Sequence, residues 1–73
     1  MSFSYRLERL SQIVDDVQVD LKKLIRELRR VSDEELEGLI GDWIRALEEA
    51  DAYLEEAEQI MWDVAQEMKR EGL

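Results

Sequence analysis

Several residue types that stabilise or equip small proteins are missing from this chain of 73 residues. It has no cysteine, histidine or proline, and glycine occurs only at positions 38, 41 and 72. Disulfides and thiolate ligands are therefore excluded, and the commonest metal ligand and general base near neutral pH is absent. A domain this small buries only about 60% of the surface that its unfolded chain exposes. Among the usual compensations, the composition leaves oligomerisation.

Long apolar segments are also absent. Unbroken apolar runs are two or three residues long, whereas a membrane-spanning helix needs about 20. Residues 1–10 are polar and charged, which does not fit a signal peptide. The lack of cysteine fits a reducing compartment. We therefore expect a soluble, cytoplasmic protein that does not contact membranes.

Acidic residues outnumber basic ones, and they are unevenly distributed. The net charge is −9, with +2 in residues 1–32, −10 in residues 33–58 and −1 in residues 59–73. A surface of this sign repels phosphate groups. It therefore predicts no direct binding to nucleic acid or to an anionic membrane.

Apolar residues in the first half of the chain recur with alternating steps of four and three. The series is Phe3, Leu7, Leu10, Val14, Val17, Leu21, Leu24, Leu28 and Val31. This alternation is the heptad pattern of a helix that packs along one stripe.

A second series with the same alternation follows. Its members are Leu36, Ile40, Trp43, Leu47, Ala50, Leu54, Ala57, Met61, Val64 and Met68. A further row with a period of seven residues widens this stripe: Leu39, Ala46, Tyr53 and Ile60. The second helix is therefore expected to contact more than one neighbour.

The two series are out of phase near Ser32, which indicates a turn at about residues 30–33. We predict an all-α, antiparallel two-helix hairpin with helices at about 4–30 and 33–70, forming one domain over residues 1–73. The second helix would be the longer, so that Val64, Ala65 and Met68 would overhang the first helix without a partner in the hairpin.

The residues around the turn suggest how the second helix begins. Ser32 and Glu35 have the spacing of a capping box, and Val31 and Leu36 have that of a hydrophobic staple. Acidic residues after Ser32 and basic residues before it suit the dipoles of the two helices.

Gly38 and Gly41 leave one alternative open. Each glycine costs about 1 kcal/mol relative to alanine inside a helix. A break at Gly41, before Asp42 as a cap, would give three helices. We favour one helix, with a bend allowed at the glycines, because the apolar series continues through both of them without a change of phase.

A hairpin leaves one side of each apolar stripe open, and such a stripe is commonly an interface. Two hairpins packed face to face would form a four-helix bundle, so we predict a homodimer. Trp43 is expected to be ordinary core, and Ala50 and Ala57 to allow close approach of the helices. The predicted dimer interface consists of Leu47, Ala50, Leu54, Ala57, Met61, Val64 and Met68.

Two further groups of residues are candidates for binding another protein. Glu48, Asp51, Glu55 and Glu58 line one flank of the second helix, either as a solvated face offset by bases of the first helix or as a docking surface for a basic partner. Trp62, on the outer face, joins Tyr53 and Ile60 as a candidate contact, because an exposed tryptophan often anchors a partner.

The acidic pairs Glu34 with Glu37 and Glu48 with Asp51 also raise a metal hypothesis. Their pattern loosely resembles the magnesium-binding pattern of nucleotide pyrophosphohydrolases of the MazG type, over this fragment alone. The resemblance would imply carboxylates that converge inside a bundle. These acids instead lie outside the apolar stripe, and no glycine-rich phosphate loop accompanies them. We therefore expect neither an enzyme nor a cofactor or metal.

The sequence thus predicts a non-enzymatic protein–protein interaction module that self-associates and acts as an adaptor, a chaperone-like protein or an assembly protein. The alternative is an acidic inhibitor or immunity-type protein, of which a nucleic-acid mimic is one form, that blocks a basic site on a partner.

Overall fold

The protein is a hairpin of two long helices. The structure is a computed structural model that describes residues 2–73, in which α1 spans Phe3–Leu28 and α2 spans Glu37–Arg70. The helices pack against each other in antiparallel directions, and the Cα atoms extend over 57 × 16 × 11 Å. The predicted all-α two-helix hairpin is confirmed.

The connection between the helices is longer than predicted, because α1 ends at Leu28 and α2 begins at Glu37. The capping box proposed for Ser32 and Glu35 is wrong. The backbone N–H of Glu35 donates instead to the Asp33 carboxylate at 3.0 Å, and that of Leu36 donates to the Asp33 carbonyl oxygen at 3.1 Å. An aspartate that bonds its own backbone two residues on stabilises a turn. Asp33 therefore closes a turn where the first helical turn was expected.

The proposed hydrophobic staple is also not built. Because Leu36 is itself the N-cap of α2, Val31 and Leu36 do not occupy the N′ and N4 positions of a staple, and they are 50% and 37% exposed. Leu36 occupies the N-cap position of α2 without a side-chain capping bond. The start of α2 is consequently held by the Asp33 turn and by packing further along the helix.

α2 is continuous through Gly38 and Gly41, so the three-helix alternative does not occur. A Cβ atom added at either glycine would meet nothing within 4 Å. Neither glycine is therefore required by a close contact, which agrees with the uninterrupted phase of the apolar residues.

The end of the hairpin opposite the turn, which we call the open end, is held together by backbone hydrogen bonds. Gly72 has φ +80°, and the N–H of Leu73 donates to the carbonyl oxygen of Met68 at 2.9 Å, as in a Schellman motif. The carbonyl oxygen of Leu73 in turn accepts from the N–H of Ser4 at 3.3 Å. The expected overhang is wrong for Ala65, which is fully buried, because the longer connection shifts α2 back alongside α1.

Heptad letters describe the packing. With Leu7 and Ile40 assigned to position d, the contact between the helices uses positions a and d. The position-a residues are Ser4, Ser11, Gln18 and Ile25 in α1 and Ile44, Asp51, Glu58 and Ala65 in α2. The position-d residues are Leu7, Val14, Leu21 and Leu28 in α1 and Ile40, Leu47, Leu54, Met61 and Met68 in α2. Every one of these residues is buried or half-buried, whereas Glu37, the position-a residue that begins α2, is exposed.

The hairpin is apolar near the turn and polar toward the open end. Ile25, Ile40 and Ile44 form the buried apolar cluster, with position-d leucines packed around it. Further along, the Ser11 hydroxyl donates to the carbonyl oxygen of Glu58 at 3.3 Å. These contacts set the register, in which Ser11 lies level with Glu58 and Ile25 lies level with Ile44.

Candidate interaction surface

One side of the hairpin is covered by apolar residues that the fold leaves accessible. They occupy position g of both helices and its continuation into the connection: Phe3, Leu10, Val17, Leu24 and Val31, then Leu36, Trp43, Ala50, Ala57 and Val64. All of these residues are exposed except Ala50, which is half-buried. Together with the half-buried position-d residues beside them they form a continuous surface, which we call the open face.

The distribution of exposed apolar residues is strongly one-sided. Residues 2–73 contain sixteen large apolar side chains that are exposed. Eight of them belong to the open face, and four more, Ile13, Leu39, Tyr53 and Ile60, occupy the neighbouring position c. Positions g and c together therefore account for twelve of the sixteen. Two of seven heptad positions therefore hold three quarters of this exposed apolar set.

The residues predicted to form a dimer interface all lie on the open face. Leu47, Leu54, Met61 and Met68 occupy position d, and Ala50, Ala57 and Val64 occupy position g. None of them is fully buried within the hairpin. A single hairpin therefore leaves every one of these side chains with surface available to a neighbour.

The prediction for Trp43 is wrong. It was predicted to be core, but its side chain is 47% exposed. The helices pair through positions a and d, so position g turns away from the hairpin contact. The next residue, Ile44, is buried instead, with 8% exposure.

The candidate residues Tyr53, Ile60 and Trp62 do not form one surface. Tyr53 is 64% exposed and Ile60 is 56% exposed, and both occupy position c beside the open face. Trp62, 47% exposed, occupies position e on nearly the opposite side of α2. Tyr53 and Ile60 thus extend the open face, whereas Trp62 is separate from it.

The acidic residues Glu48, Asp51, Glu55 and Glu58 border the hairpin contact. The Asp51 carboxylate lies 3.8 Å from the Lys22 ammonium group, and its side chain is only 16% exposed. Glu48 pairs with Arg29 at 3.0 Å. Glu58 is half-buried, and Glu55 is exposed. Two of the four carboxylates are therefore engaged with bases of α1.

Gln18 connects the two helices between Asp51 and Glu58. In one orientation its amide nitrogen donates to the backbone and side-chain oxygens of Asp51, both at 3.4 Å. In the reversed orientation it donates to the Glu58 carboxylate, and its oxygen accepts from the N–H of Glu55 at 3.2 Å. We favour the reversed orientation because it gives both amide atoms a partner. Gln18 bridges to α2 in either case.

A polar cluster holds the other end of the hairpin. Glu8 pairs with Lys69 and accepts a hydrogen bond from Gln66 at 3.2 Å. The hydrogen bond and charge of Lys69 lower the pKa of Glu8 below its ordinary value, against the opposing effect of desolvation. The carboxylate is therefore held in its charged form as a contact between α1 and α2.

The acidic pairs considered as metal ligands lie in different places. Glu34 is in the connection and Glu37 begins α2, and both are exposed. Glu48 and Asp51 pair with bases of α1. Within residues 2–73, no group of three histidine, cysteine, aspartate or glutamate side chains is placed to hold a metal ion.

The polar half of the hairpin contact was not identified from the sequence. Ser4, Ser11 and Gln18 are each at most 4% exposed, although their residue types usually lie at the surface. Their common signal is a spacing of seven residues that also includes Ile25. This row runs beside the apolar series and would have marked the side of α1 that faces α2.

Comparisons of the chain with protein-family models, with curated proteins and with solved structures find no significant match. Neither helix, within residues 2–73, has the length and apolarity that crossing a membrane requires.

Proposed function

We propose that this protein is a non-enzymatic protein–protein interaction module that self-associates through its open face. Two hairpins would pack face to face as a homodimeric four-helix bundle and serve as an adaptor, chaperone-like or assembly unit. The observation that carries this proposal is the concentration of exposed apolar side chains on positions g and c. An apolar surface of this extent on a small protein marks a contact with another molecule.

The size of the open face supports the proposal. The hairpin is 57 Å long and 16 Å wide, so one face covers roughly 900 Å² on each copy, close to the roughly 800 Å² per partner of a standard interface. Two copies would therefore bury enough surface for a stable dimer.

The order of the heptad positions around each helix also suits a bundle. Position a faces the other helix of the same hairpin, position d would face the bundle centre, and positions g and c would face the second hairpin. A bundle helix needs an apolar arc of about 100° or more, and positions d, g and c of α2 provide it. One hairpin alone uses only part of this arc.

The alternative of an acidic inhibitor has less support. Asp51 and Glu48 pair with Lys22 and Arg29, and Glu58 is half-buried. The acidic flank is therefore partly neutralised within the hairpin, whereas the open face has no partner in it.

Sedimentation equilibrium tests the proposal with a matched pair of variants. Leu24→Glu places a charge on the open face, and Val19→Glu makes an equivalent change at position b, outside it. Their side chains are 47% and 58% exposed. We expect the unmodified chain and Val19→Glu to be dimers at micromolar concentration and Leu24→Glu to be a monomer of unchanged helicity. A monomeric unmodified chain would refute the proposal, as would equal dimerisation of the two variants.

A further inference from the structure

We infer that the two copies pack with their turns at the same end of the bundle, so that α2 of each copy lies beside α1 of the other. This inference rests on the proposed self-association. It identifies the charged residues at position f, on the outer edge of the open face, as the groups that select the arrangement.

Two arrangements keep all neighbouring helices antiparallel. With the turns at the same end, the two-fold axis runs along the bundle, and α2 neighbours the partner's α1. With the turns at opposite ends, the axis is perpendicular to the bundle, and α2 neighbours the partner's α2. Both would bury the open face, so apolar area alone does not choose between them.

The charges at position f differ between the helices. In α2 this position holds four acids before Arg70: Asp42, Glu49, Glu56 and Asp63. In α1 it holds two bases and one acid, Arg9, Lys23 and Asp16, and Arg30 follows at the same spacing just after the helix. Beside each other, two α2 helices would bring two acidic rows together, whereas α2 beside α1 brings an acidic row against a mainly basic one. Like charges across an interface suppress the wrong pairing.

The register of the hairpin makes the pairing specific. When the two-fold axis runs along the bundle, each residue keeps its height, so α2 meets the partner's α1 in the register already found within the hairpin. Since Ile25 is level with Ile44 and Gln18 with Asp51, Asp42 falls between the partner's Lys23 and Arg30. Each base lies about one helical turn or less away along the axis. Asp63 similarly falls next to the partner's Arg9.

The apolar residues at position c agree with the same arrangement. Position c of α1 contains a single apolar residue, Ile13, which is 49% exposed. In the hairpin register Ile13 is level with the segment between Tyr53 and Ile60 of α2. The same-end arrangement would therefore cover all three exposed side chains together.

Distances between spin labels test the arrangement directly. The chain has no cysteine, so Ser32→Cys in the turn and Glu71→Cys at the open end each introduce one label per copy at an exposed position. With the turns at the same end, both variants should give separations of roughly 15–30 Å, because neighbouring helix axes lie about 10 Å apart. With the turns at opposite ends, both should give roughly 50 Å, because the hairpin is 57 Å long.

The outcomes separate the two proposals. Two short distances support the same-end arrangement. Two long distances overturn it and leave self-association standing. The absence of any distance between copies, together with a monomeric mass, overturns both.

A charge exchange provides an independent test. Asp42→Lys should weaken the dimer about threefold to tenfold, because each dimer contains two copies of the contact. Lys23→Asp should also weaken it, and the combined variant should recover affinity. Arg26→Asp, at position b, is the matched control and should leave affinity unchanged. If Asp42→Lys alone strengthens the dimer, the acidic rows of two α2 helices are adjacent, and the same-end arrangement is wrong.

Discussion

Trp43 and Trp62 are equally exposed, at 47% each, but they lie on different sides of α2. Trp43 occupies position g on the open face, and Trp62 occupies position e beyond the hairpin contact. The two indoles therefore report on different surfaces of one helix.

Tryptophan fluorescence should distinguish these surfaces. In Trp62→Phe only Trp43 remains, and its emission should move to shorter wavelength as the protein concentration rises, because dimerisation removes water from the open face. In Trp43→Phe the emission of Trp62 should not change over the same range. A shift confined to Trp62 would mean that the interface includes position e rather than the open face, and it would contradict the proposal.

Replacing Ala50 should interfere with close approach of the helices. Ala50→Trp adds a large side chain on the open face, where overpacking costs about 1–3 kcal/mol per site. We expect the dissociation constant measured by sedimentation to rise at least about tenfold. Ala52→Trp, at the exposed position b, is the control and should dimerise normally. Unchanged association of Ala50→Trp would exclude a close contact there.

Gln18 should contribute to the hairpin contact itself. Gln18→Ala removes a buried bridge to α2 and should lower the free energy of unfolding by about 1–2 kcal/mol. Gln12→Ala, which removes an exposed bond within α1 to Asp16, should change it by less than about 0.5 kcal/mol. Urea denaturation at one protein concentration measures both. If Gln18→Ala and the unmodified chain have the same free energy of unfolding, the Gln18 bridge makes no net contribution to stability.

Two glycine substitutions should act in opposite directions. Gly41→Ala should raise the free energy of unfolding by about 0.5–1 kcal/mol, since the helix is regular there and the added Cβ meets nothing within 4 Å. Gly72→Ala should lower it by about 1 kcal/mol, because Gly72 has φ +80°. Thermal unfolding followed by circular dichroism tests both. A destabilised Gly41→Ala would indicate that α2 needs a bend at this residue.

The contact of Glu8 with Lys69 should make stability depend on pH. The pKa of Glu8 is lowered in the fold, so its contribution is complete above the unfolded-state pKa, about 4.3 for glutamate, and is lost as the pH falls through the folded-state value. Glu8→Gln should therefore be less stable than the unmodified chain at neutral pH, and the difference should disappear in acid. Glu35→Gln, in the connection, is the control. A difference that persists in acid would mean that packing, rather than charge, is responsible.

The heptad spacing predicted both helices and the antiparallel hairpin. It did so because the period of the apolar residues reflects the geometry of a helix directly. The continuity of α2 through Gly38 and Gly41 followed from the same phase argument. The candidate interface residues from Leu47 to Met68 lie on one side of α2, and their role in a dimer stays a prediction.

The choice between two possible helix contacts could not be made from spacing. Position d belongs to both the a–d and the d–g stripes, and the d–g stripe is the more apolar. The hairpin uses the a–d stripe, where the small side chains of Ser4 and Ala65 are buried and Gln18 bridges to α2. Such fits depend on three-dimensional contacts. The turn residue was also predicted wrongly. Ser32 and Asp33 can both accept a hydrogen bond from a nearby backbone N–H, and in the structure the acceptor is Asp33.

The unequal composition of the hairpin contact has a consequence for the order of folding. The apolar cluster of Ile25, Ile40 and Ile44 closes a loop of about 15 residues, for which the entropy cost of closure is smaller than for a longer loop. The bond from Ser11 to Glu58 closes a much longer loop of 47 residues. We therefore predict that the helices join first at the turn and that their contact then extends toward Ser4 and Leu73. Backbone amides near the open end should exchange with solvent soonest.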